Sequence, residues 1–363
     1  MAENKRTCLY EQHVSLGALI SPFGGFDMPI QYKDIVSEHN AVRNHVGVFD
    51  VSHMGEVQIT GPHAEKFVNH IFTNDVHTLT PGKIAYGMML YPDGGTVDDL
   101  LVYKNGDNDF FLVINAANID KDVDWIRQQS EGYRVKIDHQ SDYYGQIAVQ
   151  GPESEETLAK YLKIDAHDLS FYTFKTIPYE GENIIVSRTG YTGEDGFEIY
   201  ASHALTVKFW KALIEAGVQP CGLGCRDTLR FEVGLPLYGD ELSAEITPLM
   251  AGLGIFVKLD KEEFIGKEAL AKQKAEGPAK KLVGLELKDK AIARHGYTVF
   301  SGETPVGQIT TGYHGISVDK SIAMALVDAA YAAQGTQLSV QIRKKFFDAE
   351  VCPKKFYKKS YKK

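Results

Sequence analysis

The order of apolar and polar positions along the chain predicts a mixture of strands and helices with one recurring unit. Two strand-like runs, 57–60 and 147–150, are each followed by Gly-Pro and then by a helix-prone stretch, 64–68 and 155–159. Apolar and β-branched residues favour a strand, glycine permits a turn, and proline ends strand pairing before a helix. The recurrence indicates two related α+β halves, although a turn this common also recurs by coincidence.

The segment between the two units predicts a β-hairpin. Strand-like runs over 96–103 and 110–115 are joined by 104–109, which contains an Asn-Gly turn signal. The apolar patterns that follow predict a helix over 119–129, strands over 184–187 and 197–200, and an amphipathic helix over 205–216 that ends at Gly217.

The pattern changes in the last quarter of the chain. A charged, helix-prone stretch begins at Lys267 and ends at Gly277-Pro278, and short strand-like runs follow it. These runs cover 282–287, 297–300, 306–310, 321–327 and 338–342. Short strands in close succession indicate a separate small β-barrel or sandwich.

Length and charge narrow the class of protein. At roughly 150 residues per domain, 363 residues predict two to three domains. Asp and Glu number 48 against 39 Lys and Arg, and the net charge of -9 argues against nucleic acid or an anionic membrane as a partner. The Lys-rich tail Lys354–Lys363 is the exception, and we expect it to be solvated rather than to bind nucleic acid.

Cysteines and histidines give no metal signal. The four cysteines match neither a zinc-site spacing nor a dense disulfide framework, which favours reduced thiols. His39, His45 and His53 lack the spacing of a metal site, so we expect no bound metal. Neither a signal peptide nor a run of about 20 apolar residues is evident, and we therefore expect a cytoplasmic protein.

An acidic pair lies at the start of the predicted hairpin. Because neighbours on a strand point to opposite faces, Val97, Asp99, Leu101 and Tyr103 should share one side and Asp98 the other. A carboxylate among apolar strand neighbours is costly to bury without a partner. Either one aspartate is a tuned base or a cation anchor, or both are solvated or structural groups.

A glycine-rich loop and an arginine are further candidates. The segment 187–198 has glycines at intervals of three but matches neither a P-loop nor a dinucleotide fingerprint, so a tight structural loop is favoured. Glu198 follows this loop on a predicted strand, where its carboxylate can accept two parallel hydrogen bonds from an amidine-like edge such as that of a pterin. Arg226 either clamps a carboxylate-bearing ligand or pairs with Asp227.

Taken together, these motifs resemble those of the glycine cleavage T-protein family, the aminomethyltransferases, over nearly the whole chain. The matching motifs are Gly24 to Pro29, Phe49 to Glu56, Gly94 to Leu100, Ile114 to Asn118, Ser187 to Glu198, Gly222 to Glu232 and Phe264 to Glu268. Motifs so numerous, and in the same order as in the family, make the match highly specific.

The resemblance implies an α+β fold arranged as a three-domain cloverleaf. Residues 1–52 and 140–275 would form a discontinuous folate-binding domain, residues 53–139 a second α+β domain, and residues 280–363 a C-terminal β-barrel. These implied boundaries agree with the breaks in the hydrophobic pattern.

The resemblance also implies a reaction. The aminomethyl group on the lipoyl arm of the H-protein would be transferred to tetrahydrofolate with release of ammonia, giving 5,10-methylenetetrahydrofolate. Tetrahydrofolate would be a co-substrate, and neither a metal nor a nucleic acid or membrane partner is implied. The implied site has Asp99 as the catalytic carboxylate, Glu198 at the pterin edge, Tyr86, Asn115, Tyr191 and Met54 lining the folate pocket, and Arg226 near the polar end of the folate.

Three other functions share features with this one. A folate-binding protein of iron-sulfur cluster assembly carries a Lys-Gly-Cys-Tyr motif, which the stretch 264–268 lacks. Folate-dependent demethylating enzymes add a flavin domain, for which no residues are left over. A non-catalytic folate-binding module stays open as the alternative, and the presence of both Asp99 and Glu198 argues against it.

Overall fold

The structure is a computed structural model that describes residues 3–358. Nineteen strands lie within that range. They are β1 Leu19–Phe23, β2 Phe26–Gln31, β3 Gly47–Asp50, β4 Gly55–Thr60, β5 Lys83–Leu90, β6 Thr96–Gly106, β7 Asp109–Ile114, β8 Lys136–His139, β9 Tyr144–Gln150, β10 Phe174–Tyr179, β11 Glu182–Ser187, β12 Gly196–Ser202, β13 Gln219–Cys221, β14 Lys280–Leu287, β15 Thr298–Ser301, β16 Thr304–Gly315, β17 Lys320–Asp328, β18 Gln337–Ile342 and β19 Lys345–Cys352.

Eight α-helices lie in the same described range. They are α1 Tyr10–Ser15, α2 Ile35–Asn44, α3 Ala64–Ile71, α4 Ile119–Gln129, α5 Ser154–Thr157, α6 His203–Glu215, α7 Leu223–Glu232 and α8 Lys267–Glu276. A π-helical turn, Leu158–Leu162, continues α5. Short 3-10 turns cover Ala116–Asn118, Gly254–Phe256 and Ala329–Tyr331.

Two sheets of similar design form the first two thirds of the described chain. The five-stranded sheet has the order β5-β6-β7-β4-β8, and the six-stranded sheet has the order β10-β11-β12-β9-β3-β13. In each, a first strand leads through a turn into a helix, a three-stranded meander follows, and a second helix leads to a last strand. The six-stranded sheet differs by the insertion of β3 between β9 and β13. The predicted pair of related α+β halves is therefore confirmed.

The two Gly-Pro turns explain why the sequence repeats there. Gly61 and Gly151 have nearly the same backbone angle, with φ of 127° and 129°. A Cβ atom would lie 2.6 Å from the carbonyl oxygen of Arg134 at the first position and 2.3 Å from that of His45 at the second. Only glycine tolerates both the positive φ and the close backbone, so both turns require it.

Each sheet packs an apolar face against its own helices. In the five-stranded sheet, Val57 and Ile59 of β4 are fully buried with Phe67 of α3 and Ile126 of α4. In the six-stranded sheet, the core contains Ile147, Val149, Phe197, Ile199 and, from α6, Phe209 and Trp210. The sheets meet through a third cluster that includes Tyr103 and Phe111 from one and Ile185 and Tyr200 from the other.

The C-terminal strands close into a barrel with the order β14-β17-β16-β15-β18-β19 over the part of the chain that the structure describes. The predicted barrel is confirmed, and β19 is a strand that the sequence pattern did not reveal. Lys354, Phe356 and Tyr357 pack back onto the fold: Phe356 lies 5.3 Å from the ring of Phe231, and the guanidinium of Arg43 lies 4.2 Å from the ring of Tyr357. The prediction of a solvated tail is wrong for these residues, and 359–363 lie outside the described residues.

Two local predictions for the hairpin of β6 and β7 are corrected. The strands continue to the pair Gly106 and Asp109, so the turn is Asp107-Asn108 rather than Asn105-Gly106. A bulge at Val97 opposite β5 also breaks the alternation of faces. Val97 therefore packs with the buried Leu100 and Val102, not on the side of Asp99.

The predicted domain boundaries, 1–52 with 140–275, 53–139 and 280–363, stay predictions. The five-stranded sheet draws its strands from Gly55 to His139, and the six-stranded sheet combines β3 with strands from Tyr144 to Cys221. The described part of the barrel begins at Lys280 and its last strand ends at Cys352.

Candidate active site

Asp99 lies in the middle of β6 with its side chain partly exposed. The hydroxyl of Tyr86, from the neighbouring strand β5, donates to Asp99 Oδ2 at 2.8 Å. The side-chain amide of Asn115 lies 2.9 Å from Asp99 Oδ1 and 3.0 Å from its carbonyl oxygen. Three of the predicted site residues are therefore in direct contact.

Asp98 has a different environment. It is fully buried, and it accepts hydrogen bonds from the backbone N–H of Asn115 at 2.9 Å and from the side chain of Asn118 at 2.7 Å. The side-chain amide of Asn115 is also 2.9 Å from Asp98 Oδ1. Asp98 thus fixes the segment after β7, and this leaves Asp99 as the aspartate of the pair with an accessible carboxylate.

The protonation of Asp99 is poised near neutral pH. Burial, followed by the negative charge of Asp98, raises the pKa of Asp99 to about 7, while the hydrogen bonds from Tyr86 and Asn115 act in the opposite direction. A carboxyl group with such a pKa exchanges protons readily at physiological pH. Asp99 therefore has the electrostatic character expected of a general base or of a carboxylate that stabilises developing positive charge.

The glycine-rich loop is a structural loop, as predicted, and it wraps around the side chain of Gln150. A Cβ atom would lie 2.0 Å from Gln150 Oε1 at Gly190 and 2.3 Å from Gln150 Nε2 at Gly196. Gln150 in turn donates to the carbonyl oxygen of Thr189 at 3.0 Å and accepts from Thr192 at 2.9 Å. The glycines let the loop pack tightly, and the loop holds the residues on either side of it in fixed positions.

Glu198 lies on β12 directly after this loop and is partly exposed. Its carboxylate accepts hydrogen bonds from Thr189 Oγ1 and from Gln146 Nε2, the latter at 3.0 Å. Burial raises the pKa of Glu198, and Thr189, Arg226 and Gln146 act in the opposite direction. One hydrogen bond on each oxygen leaves further lone pairs for a ligand.

Tyr191 and Arg226 lie next to each other. The guanidinium of Arg226 is 4.5 Å from the centre of the Tyr191 ring, and the Tyr191 hydroxyl donates to the carbonyl oxygen of Pro236. Asp227 is paired with Arg230 Nε at 2.7 Å, and no carboxylate among residues 3–358 forms an ion pair with Arg226. The pairing of Arg226 with Asp227, one of the two alternatives, is therefore not observed. Burial lowers the pKa of Arg226.

Electrostatic coupling joins the two groups of residues across the sheets. Burial is the main cause of the raised pKa of Tyr191 and of Tyr86, and the charge of Asp99 adds to it in both. Burial likewise raises the pKa of Glu198, and the charge of Arg226 partly opposes this. Tyr191 and Arg226 thus lie within electrostatic range of residues on both sheets.

Met54 lies just before β4 and packs partly buried in the cluster between the sheets. The seven predicted site residues share one property: each is partly exposed within a largely buried region. They are Met54, Tyr86, Asp99, Asn115, Tyr191, Glu198 and Arg226. Partial exposure of polar side chains in such a region is typical of residues that line a cleft.

His53, next to Met54, is a buried core histidine. It is 1% exposed, packs edge-on against Phe23 and Phe26, and its Nδ1 has no hydrogen-bond partner in the described part of the protein. Burial and the charge of Arg226 lower the pKa of His53 to about 3, so the ring is neutral. Within residues 3–358, no group of three or more His, Cys, Asp or Glu side chains is arranged to hold a metal ion.

Several residues that contact the predicted site were not identified from the sequence. Gln146 and Thr189 hold Glu198, Asn118 holds Asp98, and the ring of Phe256 packs edge-on against Tyr86 at 4.8 Å. Along β9, Gln146 alternates with apolar residues. A polar residue on the solvated face of a strand would give the same pattern. Its sequence pattern therefore carries no signal for a buried contact.

No helix within residues 3–358 is both long enough and apolar enough to cross a membrane.

Comparisons with known proteins agree with this architecture. The GCVT N-terminal domain matches residues 9–261, and the glycine cleavage T-protein C-terminal barrel domain matches residues 280–358. A protein of Alkaliphilus oremlandii (strain OhILAs) named aminomethyltransferase is 49% identical and covers 100% of both chains. Another protein of that name, from Thermoanaerobacter sp. (strain X514), is 48% identical over 99% of each chain.

A solved structure supports the same assignment. The glycine cleavage system aminomethyltransferase T from Bartonella henselae superposes with a TM-score of 0.94, at 30% identity and with 99% of each chain covered. Two related sheets with their helices, followed by a closed barrel, define a mixed α/β protein. The chain belongs to the glycine cleavage T-protein family.

Proposed function

We propose that this protein is the aminomethyltransferase of a glycine cleavage system. It would take the aminomethyl group from the lipoyl arm of the H-protein, release ammonia and pass the one-carbon unit to tetrahydrofolate, giving 5,10-methylenetetrahydrofolate. The observation that carries the proposal is the partly exposed carboxylate of Asp99, held by Tyr86 and Asn115 with its pKa near 7. Membership of the family supports the same reaction.

Asp99 would act on the charge that develops during transfer. The carbon loses its bonds to the ammonia nitrogen and to the lipoyl sulfur, which leaves as a free thiol, and forms bonds to two nitrogens of the folate. Between these steps it acquires iminium-like positive charge, and a fixed carboxylate stabilises that charge. The same carboxylate can orient or deprotonate the attacking nitrogen of the folate. Tyr86 and Asn115 hold the carboxylate in place, so little reorganisation is needed during the reaction.

Glu198 and Arg226 fit the two polar features of a folate substrate. The carboxylate oxygens of Glu198 each accept one hydrogen bond from the protein and keep lone pairs for the parallel N–H donors of a pterin edge. The guanidinium of Arg226 has no carboxylate partner among the described residues and can pair with a polar, electron-rich group of the same ligand. Tyr86, Tyr191 and Met54 would supply the apolar walls.

The test is the formation of methylenetetrahydrofolate from aminomethyl-loaded H-protein and tetrahydrofolate. The wild-type protein should show turnover that requires both substrates. Asp99→Asn should fold and bind folate but lose turnover by roughly 10²- to 10⁴-fold, the usual contribution of a positioned acid or base. Asp124→Asn is the matched control, because the Asp124 side chain is 73% exposed on α4.

Two results would contradict the proposal. Full activity of Asp99→Asn would remove Asp99 from the chemistry. Folate binding without any turnover by the wild-type protein would favour the non-catalytic folate-binding module. Weakened folate binding by Glu198→Ala is expected in the same experiment, and unaltered affinity would refute the role at the pterin edge.

A further inference from the structure

Six side chains form a closed ring of hydrogen bonds that includes Glu198. They are Glu198, Thr189, Ser187, Tyr103, Tyr200 and Gln146. Apart from Glu198, every member is at most 2% exposed. These five side chains are therefore shielded from water. They bond mainly within the ring, although Ser187 Oγ also lies 3.5 Å from the carbonyl oxygen of Glu198, and Gln146 Oε1 has no hydrogen-bond partner in the described part of the protein.

Strand register explains how the ring is built. Gln146 on β9 lies directly opposite Tyr200 on β12, and Ser187 on β11 lies directly opposite Glu198. Glu198 and Tyr200 are two residues apart on one strand and so share a face. Tyr103 does not come from the six-stranded sheet. It lies on β6 of the five-stranded sheet, four residues beyond Asp99 on the same strand.

The direction of each hydrogen bond in the ring is fixed by counting protons. Thr189 uses its only hydroxyl proton on Glu198 Oε2, so in the 2.7 Å contact between Ser187 and Thr189 the donor is Ser187. For the same reason Tyr103 donates to Ser187 at 3.1 Å, and Tyr200 donates to Tyr103 at 2.9 Å.

Gln146 closes the ring because its amide nitrogen has two protons. One is donated to Glu198 Oε1 at 3.0 Å and the other to the hydroxyl of Tyr200 at 3.1 Å. While Glu198 is ionised, the opposite assignment of the amide would direct its carbonyl oxygen at a carboxylate, which is repulsive. In that state all the protons of the ring are ordered toward Glu198.

A proton on Glu198 Oε2 would reverse part of this order. Glu198 would donate to Thr189 and Thr189 to Ser187, whose own proton would turn to the carbonyl oxygen of Glu198 at 3.5 Å, a weak contact. Only the ionised form receives charge-assisted hydrogen bonds from both Thr189 and Gln146, and both bonds lower the pKa of Glu198. By holding these two donors in place, the ring favours the carboxylate form of Glu198 against the effect of burial.

We infer that Tyr103 and Tyr200 are positioning residues that keep Glu198 ionised and oriented for the amidine-like edge of the pterin. This inference rests on the proposed function, since it assigns how the folate-binding carboxylate is prepared. Because Tyr103 belongs to the sheet that carries Asp99, the ring also ties the position of the pterin anchor to the sheet that carries the reacting carboxylate.

The expected effect follows from the loss of one hydroxyl in the ring. Tyr103→Phe and Tyr200→Phe should each raise the dissociation constant for tetrahydrofolate at pH 7 by about five- to tenfold, the effect of one buried hydrogen bond near a charge. In transfer assays the increase should fall on KM for the folate more than on kcat.

The pH dependence of folate binding separates positioning from general damage to the fold. Binding needs ionised Glu198, so affinity falls as pH falls through the pKa of Glu198, and loss of a ring hydroxyl moves that midpoint to higher pH. The groups that face Glu198 are Arg226, Tyr103 and Tyr200, and all three keep one charge state between pH 5 and 8. Asp99, with its pKa of about 7, titrates in the same range, so each variant is also measured in an Asp99→Asn background that lacks this ionisation. Burial raises the pKa of both tyrosines.

The experiment measures tetrahydrofolate affinity from pH 5 to 8 for the wild-type protein, Tyr103→Phe and Tyr200→Phe, under anaerobic conditions. Tyr144→Phe is the matched control, because Tyr144 packs 6.4 Å from Tyr200 in the same aromatic cluster and its hydroxyl is outside the ring. Its affinity and midpoint should equal those of the wild-type protein. Ser187→Ala, which interrupts the same proton order, provides a further variant should either tyrosine variant fail to fold.

The outcomes distinguish the two proposals. If the ring variants keep wild-type affinity and midpoint while Glu198→Ala binds weakly, the ring has no positioning role and the proposed function stands. An equal shift in Tyr144→Phe would also overturn the inference, since packing alone would then explain it. Absence of folate binding by the wild-type protein would instead contradict the proposed function.

Discussion

Asp98 and Asp99 are consecutive residues of one strand with opposite environments. Asp98 is fully buried and bound to Asn115 and Asn118, whereas Asp99 is partly exposed and bound to Tyr86. The buried charge of Asp98 contributes to raising the pKa of its neighbour to about 7. One aspartate thus organises the loop and adjusts the proton affinity of the other.

Substitutions on either side of Asp99 should move the pH profile in opposite directions. The hydrogen bond from Tyr86 lowers the pKa of Asp99, so Tyr86→Phe should raise it. The charge of Asp98 raises the pKa of Asp99, so Asp98→Asn should lower it. If activity requires the Asp99 carboxylate, the acidic limb of kcat/KM should shift to higher pH in the first variant and to lower pH in the second.

The profile is measured from pH 5.5 to 9 in the transfer assay. Tyr144→Phe, which removes a tyrosine hydroxyl elsewhere, should superpose on the wild-type profile. Shifts in the same direction for both variants would show that a group other than Asp99 governs the acidic limb.

Ionised Asp99 should lower the free energy of unfolding at neutral and alkaline pH. Its pKa is raised from 3.8 to about 7 on folding, so between these values the folded state binds more protons than the unfolded state, and stability falls as pH rises. Asp99→Asn removes this ionisation. The variant should therefore melt at a higher temperature than the wild-type protein at pH 8, and the difference should vanish near pH 4.

Thermal unfolding of both proteins at the two pH values checks this expectation. At each pH the melting temperature of Asp99→Asn is compared with that of the wild-type protein. A difference that is less favourable to the variant at pH 8 than at pH 4 would contradict the raised pKa of Asp99. The comparison is independent of activity and so does not depend on the proposed reaction.

A buried charge network joins α7 to the barrel. Arg230 donates to Glu241 at 2.8 Å and to Thr311 of β16 at 3.1 Å, and Thr311 donates to Glu241 at 2.6 Å. Arg230 and Glu241 are fully buried. Arg230→Met should destabilise the protein by about 3–5 kcal/mol, because it leaves the carboxylate of Glu241 buried without its partner.

Denaturant unfolding of Arg230→Met, Glu241→Met and the double variant tests the coupling. The double variant should lose less stability than the two single variants together, since it leaves no unpaired charge. If the losses in the two single variants add up in the double variant, the two side chains are not energetically coupled in the folded protein.

The repeated Gly-Pro turns should respond alike to an added methyl group. Gly61→Ala and Gly151→Ala each place a Cβ within 2.6 Å of a backbone carbonyl at positive φ, so each should destabilise by at least about 1–3 kcal/mol. Gly106→Ala is the control, because nothing lies within 4 Å of its Cβ. Equal stability of all three variants by denaturant unfolding would show that the turns relax freely.

Much of the fold could be predicted because its signals are local. Helix α4 has the bounds 119–129 that its amphipathic pattern predicts, with Asp120 and Asp122 in its first turn. The two Gly-Pro units were visible because the backbone at both turns excludes other residues. By contrast, β19 has only Ala349 and Val351 as buried apolar residues, between the exposed Asp348 and Glu350, which is a weak strand signal. Strand β3 is only four residues long, too short for periodicity to distinguish strand from helix.

The contacts within the candidate site were harder to predict from the sequence than the fold. Asp99 and Glu198 were candidates by residue type and motif, and alternation along the strand correctly separated Asp98 from Asp99. The partners of Asp98, Asn115 and Asn118, follow another strand and have no local signal that links them to it. The ring around Glu198 closes only when Tyr103 of the five-stranded sheet meets Ser187 and Tyr200 of the six-stranded sheet across the interface. Contacts of that kind arise from tertiary packing and leave no periodic signal.

The insertion of β3 into the six-stranded sheet constrains the order in which the nascent chain folds. All strands of the five-stranded sheet lie between Gly55 and His139, so this sheet can be completed as soon as that stretch has been synthesised. Strand β3 is made earlier but pairs with Ile147–Gln150 and with Gln219–Cys221, which are made much later. The residues of β3 therefore stay unpaired through the synthesis of the whole intervening sheet, and an unpaired apolar strand of this kind favours aggregation.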